Sequence, residues 1–229
     1  ESGTRNTVIL LHGLYQNRTM CIPYANIYRR MGYNVLLADL RGHGESEGGH
    51  TDWGIHDVED MNAWVSLLRS KNPQMQIGFH GVSLGAAMAL IYSASDEGKQ
   101  MKFYVADSSY GDLLDLGRDK LMKYTGDDRF VLGMDVLNPF FQAALYMHTG
   151  KLLSDSDPVN RVQHMTSPVL FLHGAKDQLV PPEVAELLLA DSSSTNKKLY
   201  IFQGALHTME MSANGPAYRG YVTDFIKNT

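Results

Sequence analysis

The chain has little cysteine, no long apolar run and no cluster of basic residues. Cys21 is the only cysteine among 229 residues, so no disulfide can form within the chain. No stretch approaches the ~18 apolar residues of a membrane-spanning helix, so the sequence predicts no membrane span. A net charge of -5 without a Lys/Arg cluster argues against nucleic acid or an anionic membrane as the main partner.

Sequence patterns for metals and nucleotides are missing as well. The histidines show neither H-E-x-x-H nor paired Cys/His spacing, so we expect no metal site. There is no G-x-x-x-x-G-K-[ST] loop, and Gly42-His43-Gly44 lacks the third glycine of a dinucleotide fingerprint. We therefore expect a function that needs no cofactor.

Apolar runs of strand length alternate with helical patterns along the chain. This alternation is typical of a parallel sheet covered by helices on both faces. Helices are predicted from Asp57 to Leu68 and from Tyr218 to Ile226, and strands near residues 7–12, 34–39, 75–80, 101–106, 168–173 and 198–202. With 44% hydrophobic residues and no linker or repeat, the sequence predicts one α/β domain over residues 1–229.

The most informative motif is Gly81-Val82-Ser83-Leu84-Gly85. It lies where an apolar run ends and a small-residue helix begins, and a strand that turns sharply into a helix at G-x-S-x-G is a nucleophile elbow. Gly81 and Gly85 would let the strand and the helix approach closely. Ser83 is therefore the candidate nucleophile.

A serine hydroxyl needs a base to take its proton and an acid to orient that base. Asp177 lies in a loop after a predicted buried strand, and fits the acid. His207 lies in a glycine-containing loop after the next predicted strand, and fits the base. The chain order of serine, aspartate and histidine is the order expected after a nucleophile elbow in an α/β fold.

With these residues the chain resembles the α/β-hydrolase superfamily over nearly its whole length. Residues 7–14, T-V-I-L-L-H-G-L, are similar to the strand and turn that carry half of the oxyanion hole. Residues 39–46, D-L-R-G-H-G-E-S, are similar to a turn common in esterases, lipases and peptidases of the superfamily. The resemblance implies the α/β-hydrolase fold, with a mostly parallel sheet between two layers of helices. It also implies the backbone N–H groups of Leu14 and Leu84 as oxyanion donors, and Asp107, which ends a predicted strand, as an alternative acid.

Residues 111–165 interrupt the alternation between the fourth and fifth predicted strands. In the superfamily a lid is inserted at this point, so we predict a small helical cap before the last strands. Most of its bulky apolar side chains are expected to pack on the main domain, and the rest to line an apolar pocket above Ser83. The candidates for that pocket are Met122, Phe140, Phe141 and Tyr146.

The resemblance implies a serine hydrolase of carboxylic esters, a carboxylesterase that forms an acyl-enzyme on Ser83. The expected partner is a small-molecule ester or acyl substrate, because flexible methionines and flat aromatic rings suit acyl chains or aromatic esters. A serine peptidase, a thioesterase and a non-catalytic ligand-binding scaffold are the alternatives. A homodimer formed through an exposed part of the cap is left open.

Location also stays open at this stage. No charged-then-apolar leader opens the sequence. The superfamily usually has about two antiparallel strands before the His-Gly strand, whereas here only Glu1 to Asn6 precede it. Either the sheet is reduced or the sequence is a fragment, so a cytoplasmic location and a cell-surface or exported one, as in bacterial surface relatives, are both retained.

Overall fold

The computed structural model describes residues 4–49, 51 and 53–229. Six strands form one sheet in the order β2-β1-β3-β4-β5-β6, and every neighbouring pair is parallel. The strands are β1 (Asn6–Leu11), β2 (Asn34–Ala38), β3 (Gln76–Val82), β4 (Tyr104–Asp107), β5 (Val169–Gly174) and β6 (Lys197–Phe202). Each lies where a strand was predicted, except that β4 begins later because Met101 N–H bonds Gly98 O in the preceding turn.

Nine α-helices surround the sheet in the described part of the chain. They are α1 (Ile22–Arg30), α2 (Asp57–Lys71), α3 (Leu84–Ser93), α4 (Leu113–Thr125), α5 (Asp128–Thr149), α6 (Pro158–Val162), α7 (Glu183–Asp191), α8 (Glu210–Ala213) and α9 (Gly215–Lys227). The helices predicted from Asp57 and up to Ile226 correspond to α2 and α9.

The sheet is covered on both faces, as its sequence pattern predicts. Successive strand residues point to opposite faces, so Ile9 and Leu11 pack in a core with α2, α3, α6 and α7. Val8 and Leu10 pack in a second core with α1 and α9. The α/β fold class is therefore confirmed.

The helix that follows the elbow, α3, is the most enclosed element. All of its ten residues are buried, and it contacts β1, β3, β4, α2 and α6. A helix apolar on every side belongs in the interior of a protein. The elbow before it is therefore held between rigid elements.

The insertion between β4 and β5 contains a helical hairpin, α4 and α5. Gly126 and Gly150 end these helices in left-handed conformations, with φ of 65° and 71°. Neither helix has a fully buried residue. By contrast, Val162 and Met165 are fully buried in the main core. The hairpin is thus the projecting part of residues 111–165, and the treatment of that whole range as a cap stays a prediction.

Candidate active site

The carboxyl ends of the parallel strands meet at one edge of the sheet, and the candidate residues lie in the loops that leave this edge. Ser83 ends β3's turn into α3 with φ 53° and ψ -114°. Residues other than glycine rarely adopt this main-chain conformation. Its N–H donates a 2.8 Å hydrogen bond to Asp107 O at the end of β4. The main chain of Ser83 is therefore strained and also fixed.

Two glycines make the elbow sterically feasible. A Cβ on Gly81 would lie 2.1 Å from Gly85 O, and one on Gly85 would lie 2.4 Å from Leu11 O. Both distances are far shorter than real contacts, and both involve main-chain atoms that are held in the fold. The structure gives these two glycines the close-approach role that the sequence predicted for them.

Ser83, His207 and Asp177 form a hydrogen-bonded series although they are far apart in sequence. Ser83 Oγ lies 2.8 Å from His207 Nε2. His207 Nδ1 lies 2.6 Å from Asp177 Oδ2. This tautomer, with Nδ1–H donating to the carboxylate, leaves Nε2 free to accept the serine proton. All three predicted triad residues are thus brought together, with distances suited to proton transfer.

Asp177 is held by more partners than the base alone. Its Oδ1 accepts the N–H groups of Leu179 and Val180, at 2.8 and 2.9 Å. His173 Nε2 lies 3.2 Å from Oδ2 and 2.9 Å from Val180 O. Burial raises the pKa of Asp177, but the hydrogen bonds from His173, His207 and Val180 outweigh it and hold this pKa below its usual value. Asp177 is therefore a fixed anion.

Sequence reasoning gave His173 no role in this site. Its burial lowers its pKa, but the hydrogen bonds to Asp177 and Val180 O outweigh that effect and raise it above the usual value. The signal was available in the sequence, because His173 ends a buried strand four residues before the candidate acid.

The loop that carries His207 is fastened to the loop after β4. Thr208, which follows the histidine, donates its N–H to Ser108 Oγ at 3.1 Å. Ser108 Oγ in turn donates to Glu210 Oε1 at 2.8 Å. Ser108 and Glu210 are fully buried. No sequence signal marked either residue, because this contact joins positions about a hundred residues apart.

Asp107, the alternative acid, lies outside the hydrogen-bonded series. Its side chain is fully buried and accepts a 2.7 Å hydrogen bond from Tyr218 OH, which also contacts His80 Nε2 at 3.1 Å. Burial, together with the neighbouring Glu210 carboxyl, raises the pKa of Asp107 well above its usual value. Asp107 therefore belongs to a buried carboxyl pair behind the site, and the histidine is bonded to Asp177 instead.

The predicted oxyanion donors flank the nucleophile. A Cβ on Gly13 would lie 3.5 Å from Ser83 Cβ, so the turn before Leu14 touches the elbow. Gln16 Oε1 accepts Gly13 N–H at 3.1 Å and stabilises that turn. Leu84 begins α3, where the first N–H groups of a helix have no intrahelical partner. The two residues are suitably placed on the chain, and their role stays a prediction.

The turn at residues 39–46 is organised by the carboxylate of Asp39. It accepts Arg18 N–H at 2.6 Å and Glu45 N–H at 3.0 Å. Ser46 Oγ donates to Asp39 O at 2.8 Å. The polar residues of this turn therefore have a structural role in the loop beside β2.

A cavity of about 330 Å³ adjoins the triad. Val82 and Thr208 line it, and these residues are the chain neighbours of Ser83 and His207. Three methionines also contribute to its wall: Met20, Met209 and Met211. The cavity is at the small end of the size range of ligand pockets. It lies between the turn after β1, α1 and α8, whereas the sequence placed the apolar pocket under the cap.

The four cap candidates are exposed at the surface of the hairpin. Met122, Phe140, Phe141 and Tyr146 are 44, 73, 52 and 57% exposed. The structure therefore does not enclose them with Ser83, and a contact of these side chains with substrate stays a prediction.

Lysines bind the hairpin to neighbouring loops at two places, one along α4 and one just after α5. Lys120 and Lys123 on α4 both donate to Gln178 O, at 3.0 and 3.3 Å, beside the triad acid. Lys151, just after α5, donates to Ile55 O before α2. The hairpin therefore reaches across the carboxyl edge of the sheet. Within the described residues, no group of three or more His, Cys, Asp or Glu could hold a metal ion.

A six-stranded parallel sheet with a strained serine elbow, and a histidine and an aspartate in line with it, defines the class of α/β hydrolases. The chain belongs to the α/β-hydrolase fold family, whose model matches residues 6–148. A model described as serine aminopeptidase S33 matches residues 149–212. The predicted superfamily is thus confirmed, and family and relatives together indicate a hydrolase.

Relatives lie in bacteria and in eukaryotes, and a similar structure is from an archaeon. The chain is 31% identical over 226 residues to the uncharacterized protein YqkD of Bacillus subtilis, covering 98% of this chain and 72% of YqkD. It is 24% identical over 236 residues to a monoacylglycerol lipase of Mycolicibacterium smegmatis, covering 90% of this chain and 82% of the lipase. The structure of the Pyrococcus furiosus esterase Pf2001 matches with a TM-score of 0.77 and 25% identity, covering 100% of this chain and 85% of the esterase.

Proposed function

We propose that the protein is a serine hydrolase that cleaves carboxylic esters through an acyl-enzyme on Ser83. The observation that carries the proposal is the unbroken series from Ser83 Oγ to His207 and from His207 to Asp177, at 2.8 and 2.6 Å. An esterase and a monoacylglycerol lipase among the relatives support an ester as the substrate.

In the acylation step Ser83 Oγ attacks the ester carbonyl carbon while His207 Nε2 takes the hydroxyl proton. The carbonyl electron pair moves to the oxygen, where the N–H groups of Leu14 and Leu84 would stabilise the negative charge. The tetrahedral intermediate collapses, the C–O bond to the alcohol breaks, and His207 gives its proton to the leaving alkoxide. Asp177 stabilises the imidazolium in the meantime, because its low pKa keeps it ionised.

Water then reverses these roles in the deacylation step. His207 takes a proton from water as the oxygen attacks the acyl carbon of the Ser83 ester. The carboxylic acid leaves, and the proton returns to Ser83 Oγ. Each turnover consumes one water and yields one acid and one alcohol, so no other reactant is required.

The cavity beside the triad favours a short or medium acyl or alcohol group. Its volume of about 330 Å³ and its methionine walls suit a compact apolar group that is free of charge. We assign this cavity to one side of the ester.

An aminopeptidase is the second candidate, because the aminopeptidase model matches residues 149–212. Such an enzyme needs an accessible carboxylate to bind the substrate's amino group. Two carboxyls next to the site, Asp107 and Glu210, are fully buried and directed to each other and to Ser108, so neither can bind an amine. This arrangement favours the ester over the peptide.

The test is hydrolysis of p-nitrophenyl esters from acetate to palmitate by the parent protein and by Ser83→Ala. We expect activity in the parent that Ser83→Ala abolishes, and labelling of Ser83 by a fluorophosphonate. Ser70→Ala, at an exposed serine of α2, is the matched control and should retain full activity. Hydrolysis of amino-acid p-nitroanilides with no ester hydrolysis would favour the aminopeptidase, and equal activity in Ser83→Ala would exclude the triad.

A further inference from the structure

Helix α5 turns its apolar side to the solvent and its polar side toward the protein, the reverse of a normal surface helix. Eight of its large apolar side chains are exposed, from 52% for Phe141 to 81% for Met147. Its polar side chains at Asp135, Asn138 and Gln142 are partly buried. A surface helix normally turns its charged face to water and its apolar face to the core. Contiguous exposed apolar surface of this kind marks an interaction site.

Hydrogen bonds fix this orientation. Asp135 Oδ1 accepts a 2.8 Å hydrogen bond from Arg118 Nε on α4. Gln142 Oε1 accepts the N–H of Leu153, in the segment after α5, at 3.0 Å. Both bonds lie on one side of the helix. Rotating the apolar side inward would therefore break contacts that the structure has formed.

The apolar surface is wide as well as long. At about 100° per residue, Leu132 and Phe141 lie about 180° apart around the axis, and Val136, Leu137 and Phe140 lie between them. A helix that docks on one protein partner uses a stripe of about 100°. One helix of a second copy would thus leave much of this half-cylinder in water, whereas the acyl region of a bilayer contacts all of it.

The charges around the surface favour an uncharged lipid. Between Phe130 and Met147 the one charged residue is Asp135, which is paired with Arg118. Residues 113–151 hold five basic and five acidic side chains, so the hairpin is neutral. The whole chain has a net charge of -5, which would be repelled by anionic lipid. A zwitterionic surface has no net charge, so it does not repel the chain.

We propose that α5 docks the protein on a zwitterionic phospholipid bilayer, with the helix lying in the plane of the interface. Among the described helices, α5 is long and apolar enough to cross a membrane, but its bonded side stays on the protein, so it lies on the bilayer and does not span it. Tyr124 and Tyr146, 92 and 57% exposed, provide the amphipathic rings that favour the headgroup region.

Docking through α5 would bring lipid close to the triad. The hairpin is bonded to Gln178, one residue after Asp177, through Lys120 and Lys123. An acyl substrate that partitions into lipid would then reach the site from the bilayer. This consequence rests on the proposed function, whereas the docking itself rests on α5 alone.

The experiment is flotation of the protein with phosphatidylcholine vesicles in low and in high salt. The parent protein is expected to float in both, because the contact is apolar. Leu137→Glu, at a side chain 65% exposed on α5, should lower the vesicle partition coefficient tenfold or more. Leu67→Glu, 53% exposed on α2, is the matched control and should float like the parent. Val136→Gln provides a second, uncharged variant on α5, with a smaller loss in the same direction.

The proposal would be overturned by a parent that does not float, by a Leu137→Glu variant that floats like the parent, or by binding that needs anionic lipid and is lost in high salt. A parent that is a stable dimer in light scattering and becomes a monomer with Leu137→Glu would assign α5 to a second copy instead. Ser83→Ala should float like the parent, so a protein that floats but hydrolyses no ester disproves the proposed function and leaves the docking intact.

Discussion

Ser108 holds the main chain of Thr208, the residue after the candidate base, through a 3.1 Å hydrogen bond to its Oγ. Both residues have positive φ, 56° for Ser108 and 60° for Thr208. The preceding residue, Asp107, accepts the N–H of Ser83 at 2.8 Å. Two adjacent residues, the last of β4 and the one after it, therefore bind the main chains of the nucleophile's and the base's loops, and set the distance between them.

Ser108→Ala is expected to lower kcat for a p-nitrophenyl ester about 10- to 100-fold, with little change in KM. Thr208 N–H would lose its acceptor and the histidine loop its fixed position, and misplacement of a catalytic group costs on this order. The measurement is steady-state kinetics of the variant and the parent, which separates kcat from KM.

Ser109→Ala is the matched control, since Ser109 is equally buried but donates to Tyr110 O. It should change kcat less than about threefold, since its hydrogen bond does not reach the histidine loop. Equal losses of kcat in the two variants would show that Ser108 contributes only to the stability of the fold and does not position the histidine loop.

His207→Ala is expected to lower kcat about 10⁵-fold or more, and Asp177→Asn about 10³- to 10⁴-fold. The histidine transfers the proton itself, whereas the aspartate fixes its tautomer and stabilises its charge. Single-turnover release of p-nitrophenol separates these variants. An Asp177→Asn variant with parental activity would point to another acid, and Asp107→Asn would then be measured beside it.

Gly85→Ala is expected to destabilise the fold by about 3 kcal/mol or more, because the added Cβ would lie 2.4 Å from Leu11 O, at the end of the interior strand β1. Gly220→Ala, in α9, has no atom within 4 Å of its added Cβ and should stabilise the protein by about 0.5–1 kcal/mol. Urea unfolding of the two variants and the parent measures both effects. Similar stability in all three would show that the elbow tolerates a methyl group.

Asp157 makes stability depend on pH near neutrality. Burial, opposed by its hydrogen bond from Leu113 N–H, raises the pKa of Asp157 to about 7. Between pH ~4 and pH ~7 the folded protein therefore holds a proton that the unfolded chain has released. Folding stability contributed by this group falls as pH rises through that window, by about 1–3 kcal/mol when solvent screening is included.

Asp157→Asn keeps an acceptor for Leu113 N–H but cannot ionise. We expect it to match the parent at pH 4 and to exceed it at pH 8 by about 1–3 kcal/mol in urea unfolding. Asp224→Asn, at an exposed acid of α9, is the control and should leave the pH dependence unchanged. A variant with the parent's pH dependence would contradict the raised pKa.

The sequence was sufficient for the positions of the strands along the chain and for the three residues at the edge of the sheet. Ser83, Asp177 and His207 each follow an apolar run of strand length. In a parallel sheet the carboxyl ends of all strands lie at one edge, so residues just after different strands meet there. Local pattern and one general rule of topology thus place the candidate triad.

The residues that support the candidate triad could not be found from local sequence pattern and strand ends. Ser108 and Glu210 show no motif, and their contact exists because α8 packs beside the end of β5. The location of the cavity was likewise unpredictable, because it depends on the packing of α1 and α8 against the turn after β1.

The outward apolar face of α5 could not be predicted from the sequence either. Its composition is apolar enough to predict a buried helix, and most of the cap's apolar side chains were expected to pack on the main domain. For α5 that prediction was wrong, because eight of its large apolar side chains are exposed. Rotation about the helix axis is set by the hydrogen bonds of Asp135 and Gln142 to residues elsewhere in the insertion. The sequence alone determined the fold class and the catalytic candidates, because they follow from local periodicity and chain order. The tertiary structure decided what supports the candidate triad and which surface is left apolar, because both depend on contacts between elements whose relative rotation no local pattern specifies.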